Sequence, residues 1–315
     1  MVSLKDVYAA YECIKKRIYK TPVLTRDFVN EEYGNRIILK LESLQRSGAF
    51  KIRGVLNKIN SLTRKERNSG VICATSGNHG LGVAYVSHWE KLKALVVVPE
   101  TTPEHKIERL KKLAQVAIEG HTFLESYHYA MERAKKEGLT FIHPFADPLI
   151  IAGQGTIGLE LMEQVPDMDS IVAPIGGGGL ISGILTAVKE VKPSVRIIGV
   201  QAEKAASMYS SLKEGVIKHL KKVDTIAEGI AVKRTEEINL SIIKKYVDDI
   251  VLVSDDDIRF AMKALFNEYK VVGETAGVVS LAAVLKGKTG MYGKKIVSLI
   301  TGGNISLEQF IAHTA

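Results

Sequence analysis

Leu4, Val7, Tyr8, Tyr11, Ile14 and Ile18 recur every three or four residues, so the chain opens with an amphipathic helix that stops before Thr21 and Pro22. The pattern then changes. Short runs rich in Val, Ile and Leu appear at Arg36 to Leu41, Val71 to Ala74, Ala94 to Val98, Val116 to Glu119 and Thr140 to His143. They continue at Ile171 to Pro174, Arg196 to Val200, Ile250 to Val253 and Ile296 to Ile300, and each reads as a strand. Helical patterns separate most of them: Phe50 to Leu62, Asn78 to Leu92, Pro103 to Leu113, Ser126 to Glu137, Gly179 to Val191, Asp255 to Tyr269 and Thr275 to Leu285. Ser254 is placed to cap the helix that follows it. Strand alternating with helix predicts an α/β fold of open, twisted, mostly parallel sheets covered by helices on both faces.

The sequence has no repeat of fixed period and no low-complexity tract, which argues against a solenoid or a long linker. Weak breaks near residues 45–65 and 143–150 suggest a small domain, 51–144, inserted into a larger one formed by 1–50 and 145–315. At 315 residues, 46% hydrophobic and 25% charged, the composition is that of an ordinary globular protein. The formal charge of +8 suits anionic ligands. The basic runs Lys15 to Arg17 and Lys218 to Lys222 lie on helix-like stretches without interleaved aromatics and read as solvated faces, so no nucleic-acid partner is expected. Cys13 and Cys73 lack metal-ligand spacing and read as free thiols. Lys5, Asp6 and Glu12 interrupt any leader-like apolar stretch, and no run is long enough to span a membrane, so a cytoplasmic location is expected.

Lys51 stands in Ser47-Gly48-Ala49-Phe50-Lys51-Ile52-Arg53-Gly54. An amine among small and apolar residues is partly desolvated, which lowers its pKa and keeps it nucleophilic near neutral pH, as Schiff-base chemistry requires. Gly176, Gly177, Gly178 and Gly179 follow a strand and open a helix. Unobstructed amides and the field of the helix N-terminus suit that loop to a phosphate, although a flexible turn would also use glycine. It does not fit the dinucleotide pattern G-x-G-x-x-G. Ser76, Gly77, Asn78, His79 and Gly80 also lie between a strand and a helix; they could hold a carboxylate or simply cap the helix. Thr301-Gly302-Gly303-Asn304, taken alone, is a turn.

In this order, with Ile151 to Thr156 and Gly273 to Gly277, these segments resemble the fold type II pyridoxal-phosphate enzymes, the tryptophan synthase β-like fold, and specifically the threonine/serine dehydratase and serine racemase group. The resemblance covers nearly the whole chain. It implies that pyridoxal 5'-phosphate is bound to Lys51, with Phe50 beside the ring, Asn78 on the ring hydroxyl, Glu274 at the cofactor and Thr301 facing the pyridine nitrogen. It implies that Ser76, Gly77, Asn78 and His79 hold the substrate carboxylate and that Gly176 to Gly179 hold the phosphate. A neutral hydroxyl at Thr301 does not favour a protonated pyridinium, so loss of a β-leaving group competes well with transamination.

The implied reaction removes the α-proton of L-threonine or L-serine through Lys51, expels the β-hydroxyl and yields a 2-oxo acid and ammonia. Ser76 departs from the alanine usual in dehydratases. Racemases of the group use a serine there on the face opposite the lysine, so serine or threonine racemisation with side elimination stands as the alternative. Val247 to Ser254 and Gly302 to Ile305 resemble catabolic threonine dehydratase more closely. The racemase branch binds a divalent cation where this chain has Gln201 and Ser207, poor ligands for a hard cation, so no metal is expected unless Glu203 takes part. A homodimer or homotetramer is expected from the resemblance alone.

Overall fold

A computed structural model describes residues 2–75 and 77–315. Among the described residues ten strands form two sheets: β1 Val23–Thr25, β2 Arg36–Leu41, β3 Val71–Ala74, β4 Ala94–Val98, β5 Gln115–Ile118, β6 Thr140–Phe141, β7 Ser170–Pro174, β8 Arg196–Ala202, β9 Asp249–Val253 and β10 Lys295–Ile300. The six-stranded sheet has the order β1-β2-β10-β7-β8-β9, and the four-stranded sheet β5-β4-β3-β6. Every pairing is parallel except β1 with β2. All residues of β3, β4 and β7 are buried, which explains why these strands read as continuous apolar runs.

The opening helix runs Leu4–Ile14, with Ser3 and Asp6 forming a capping box, and Ser254 caps Asp255–Tyr269 as its position foretold. Several elements depart from the sequence pattern. Thr140 to His143 yields a strand of only two residues, because the His143 ring draws the chain into a turn by accepting at Nδ1 from the amides of Phe145 and Ala146. Lys218 to Lys222 lies outside any helix. The helix Pro148–Gln164 was not expected at all. It is buried on nearly every side and so lacks a polar face, and its three glycines weaken the helical signal further.

Those glycines carry the packing. A Cβ on Gly153 would lie 2.6 Å from the Cα of Gly54 in helix Ile52–Asn60, and one on Gly155 would lie 2.7 Å from the carbonyl oxygen of Gly183 in helix Gly179–Lys189. The three helices therefore meet at backbone contact, which only glycine permits.

Candidate active site

The loops singled out in the sequence leave the carboxyl ends of parallel strands: Thr75 follows β3, residues 175–178 follow β7 and Thr301 follows β10. Lys51 begins the helix Ile52–Asn60. Its loop is stitched to the end of β10, since Phe50 N donates to Thr301 O at 3.1 Å and Gly303 N donates to Gly48 O at 3.0 Å.

Two residues beyond Lys51, Arg53 anchors the same helix. Its guanidinium donates to Glu42 from Nε at 2.8 Å and Nη2 at 2.7 Å, and to Glu160 from Nη1 at 2.6 Å and Nη2 at 2.9 Å. Lys40 Nζ completes the cluster at 2.6 Å from Glu160. Two cations and two anions, all buried, make a neutral and hydrogen-bonded group, the arrangement in which buried charges are tolerated.

The Lys51 amine has no anionic partner among the described residues. Nζ donates to the carbonyl of Pro144 at 2.9 Å, and burial lowers its pKa to about 8. The nearest ionisable rings stay neutral. Burial, reinforced by Lys51, takes His79 down to about 3, and burial likewise takes His143 to about 4. His79 turns its Nε2 to the carbonyl of Ile142 at 2.8 Å, so its ring brings no positive charge to the carboxylate loop. What that loop offers is backbone: the amides of Asn78 and His79, in the first turn of helix Asn78–Trp89, have no acceptor among the described residues. Ser76, assigned from sequence to proton transfer and carboxylate binding, lies outside the described residues. Gly77 N donates to Thr75 Oγ1 at 3.0 Å.

At the tetraglycine loop, the amides of Gly176 to Gly179 donate to no backbone carbonyl among the described residues, and Gly178 has φ +98°, a conformation that favours glycine. Phe145 lies against this loop, with its ring packed on Gly177 so that a Cβ there would collide with it. Thr235 Oγ1 donates to Gly177 O at 3.2 Å, and Asn239 Nδ2 donates to Phe145 O at 3.2 Å. Phe145, Asn239, His143 and Pro144 are site residues that the sequence reading missed; only the placement of residues 143–146 just after a strand hinted at them.

On the third side, Thr301 is buried and its hydroxyl makes no hydrogen bond among the described residues. Glu274 accepts from Asn78 Nδ2 at 2.5 Å, and burial raises its pKa to about 7 against the opposing pull of that bond. Gln201 uses its amide internally, donating to Ile175 O and Ala205 O, both at 3.2 Å, while Glu203 pairs with Lys288 at 3.4 Å. Among the described residues no group of three or more His, Cys, Asp or Glu is arranged to hold a metal ion, and no helix is long and apolar enough to cross a membrane.

A desolvated amine, a glycine loop whose amides donate to no backbone carbonyl among the described residues and a neutral hydroxyl suit an anionic aldehyde cofactor. The pyridoxal-phosphate dependent enzyme family matches residues 14–302, and the chain belongs to that family. Over 98% of its length it is 44% identical to an L-threonine ammonia-lyase of Thermotoga maritima, covering 77% of that protein. It is 42% identical to the catabolic L-threonine dehydratase TdcB of Escherichia coli, covering 98% of this chain and 94% of that one. The structure of maize serine racemase superposes with a TM-score of 0.95 at 31% identity, covering 99% of this chain and 96% of the racemase.

Proposed function

We propose that this enzyme is an ammonia-lyase that converts L-threonine, and L-serine, to 2-oxobutyrate or pyruvate and ammonia. The single observation that carries the reading is the Lys51 amine, held near a pKa of 8 with only a carbonyl as partner, between the free amides of the tetraglycine loop and those at Asn78 and His79. When bound, pyridoxal phosphate supplies a carbonyl for amine condensation and a conjugated ring that withdraws electrons from the substrate α-carbon.

The chain's residues supply the rest. Gly176 to Gly179 would hold the cofactor phosphate through backbone N–H groups, with Phe50 beside the ring and Asn78 toward its oxygen. The free amides of Asn78 and His79, with Ser76 and Gly77 beside them, would hold and orient the substrate carboxylate. The Lys51 Nζ would take the α-proton of the substrate; a pKa near neutrality suits this base role. Thr301 would offer the pyridine nitrogen a neutral hydroxyl, which favours departure of the β-hydroxyl. Racemisation is the second reading, favoured by Ser76 in the sequence and by likeness to maize serine racemase.

The same proposal assigns 51–144 to a small substrate-binding domain and 1–50 with 145–315 to a large cofactor-binding domain, supported by the separate four- and six-stranded sheets. It places the enzyme in the cytoplasm as a homodimer or homotetramer. Borohydride treatment of the loaded protein, followed by peptide mapping, is expected to fix cofactor on Lys51. The loaded enzyme should also release 2-oxobutyrate from L-threonine; an unmodified Lys51 peptide overturns the assignment.

A further inference from the structure

Asn304 follows the Thr301 loop and touches two other segments of the site with one amide group. Its Nδ2 donates to Ser47 O at 2.8 Å and to Asn78 Oδ1 at 2.7 Å. Asn78 in turn donates from Nδ2 to Glu274 Oε1 at 2.5 Å. Ser47-Asn304-Asn78-Glu274 is thus a continuous chain of hydrogen bonds joining the Lys51 loop, the carboxylate loop and the two loops on the β10 side.

The backbone is cut to admit this chain. Gly48 has φ +75°, and a Cβ there would strike the Asn304 side chain. A Cβ on Gly302 would strike Glu274 Oε1 and come within 3.1 Å of Asn78 Nδ2.

A primary amide has a donor edge and an acceptor edge, and its neighbours decide which way it faces. Both Asn304 N–H groups are spent on oxygen acceptors. Turning the Asn78 amide over would set its NH2 against that of Asn304 and its carbonyl against the Glu274 carboxylate, two mismatches at once. In the observed orientation one Nδ2 hydrogen of Asn78 goes to Glu274 and the other is left for a further acceptor.

We infer that Asn304 is a positioning residue which, with Glu274, fixes the Asn78 amide so that its N–H edge is the one presented to the cofactor's ring oxygen. The inference rests on the reading above that Asn78 meets that oxygen. An N–H donor favours the ionised form of the ring hydroxyl, whereas a carbonyl in its place disfavours it. Asn304 therefore acts on cofactor ionisation without touching the cofactor. Lys106, Arg109 and Glu228 are the other charged groups acting on Glu274, and they stay constant in the test.

The experiment compares Asn304→Asp and Asn78→Ala by pH titration of the near-visible absorption of the bound cofactor. Asn304→Asp keeps the size of the side chain and replaces two donors by acceptors facing Ser47 O and Asn78 Oδ1. It is expected to move the midpoint of the absorption titration by about one pH unit and to speed cofactor release about tenfold. It should also lower kcat for L-threonine more than it raises KM. A merely structural residue would leave the titration midpoint unchanged. Asn304→Ala, which removes both donors without adding repulsion, is expected to shift the midpoint in the same direction by less, and it serves if the aspartate variant does not fold. If Asn78→Ala shifts the midpoint and neither Asn304 variant does, the positioning role is overturned while the Asn78 reading stands. If Asn78→Ala leaves the midpoint unchanged, the Asn78 reading fails and the inference fails with it.

Discussion

Lys51 donates from Nζ to the carbonyl oxygen of Pro144 at 2.9 Å, and that carbonyl is its one hydrogen-bond partner among the described residues. A carbonyl can accept from an amine in either protonation state, so it does not lock the lysine as a cation. Together with burial, this leaves the amine titrating near 8 instead of 10.5.

The rate at which cofactor-free protein takes up pyridoxal phosphate follows the neutral amine. Below pH 8 the neutral fraction falls about tenfold per unit, so uptake should rise steeply to about pH 8 and flatten above it. Stopped-flow absorbance over pH 6 to 10 reads this directly; a rise continuing past pH 9 would contradict the depressed pKa.

Arg53→Met leaves Glu42 and Glu160 buried with only Lys40 against them. The expected cost is about 3–5 kcal/mol in global stability, read as a fall in the urea midpoint at unchanged slope. Replacing all four charged residues with apolar ones of similar volume should cost less than the single change.

Glu274 carries a pKa of about 7 in the folded cofactor-free protein against 4.5 as its ordinary value. Between those values the folded state holds a proton that the unfolded chain gives up, so this group's contribution to stability declines as pH rises from 4.5 to 7 and is constant on either side. Glu274→Gln, which cannot ionise, should flatten that decline by about 2 kcal/mol, allowing for the partial exposure of the side chain. Chemical denaturation of the cofactor-free wild type and variant at pH 5 and pH 8 provides the comparison.

Ser76→Ala should leave elimination from L-threonine within about threefold and abolish formation of D-amino acid, because only the second face of the α-carbon loses its proton carrier. Parallel measurement of 2-oxo acid and D-isomer checks it. Equal loss of both products would leave Ser76 its carboxylate-binding role alone and overturn its proton-transfer role.

Much of this site was legible because its parts sit where strands end. Lys51, the 176–179 loop and the 76–80 loop each announce themselves by glycine or by apolar surroundings beside a strand. The residues that complete the site carry no such signal. His143, Pro144 and Phe145 matter through one acceptor nitrogen, one carbonyl and one ring face, none of which leaves a periodic trace. Asn304 is an ordinary turn residue until β10 brings it to Asn78. The helix Pro148–Gln164 was hidden for the opposite reason: an element buried on nearly every side has no polar stripe to betray its period.

The glycine contacts of that helix act as a caliper. One of its faces rests on the helix that begins just after Lys51, the other on the helix that begins at Gly179, and at both crossings the gap is smaller than a methyl group. The starts of the Lys51 and Gly179 helices are therefore spaced by main chain against main chain, and the repacking of side chains cannot stretch that spacing.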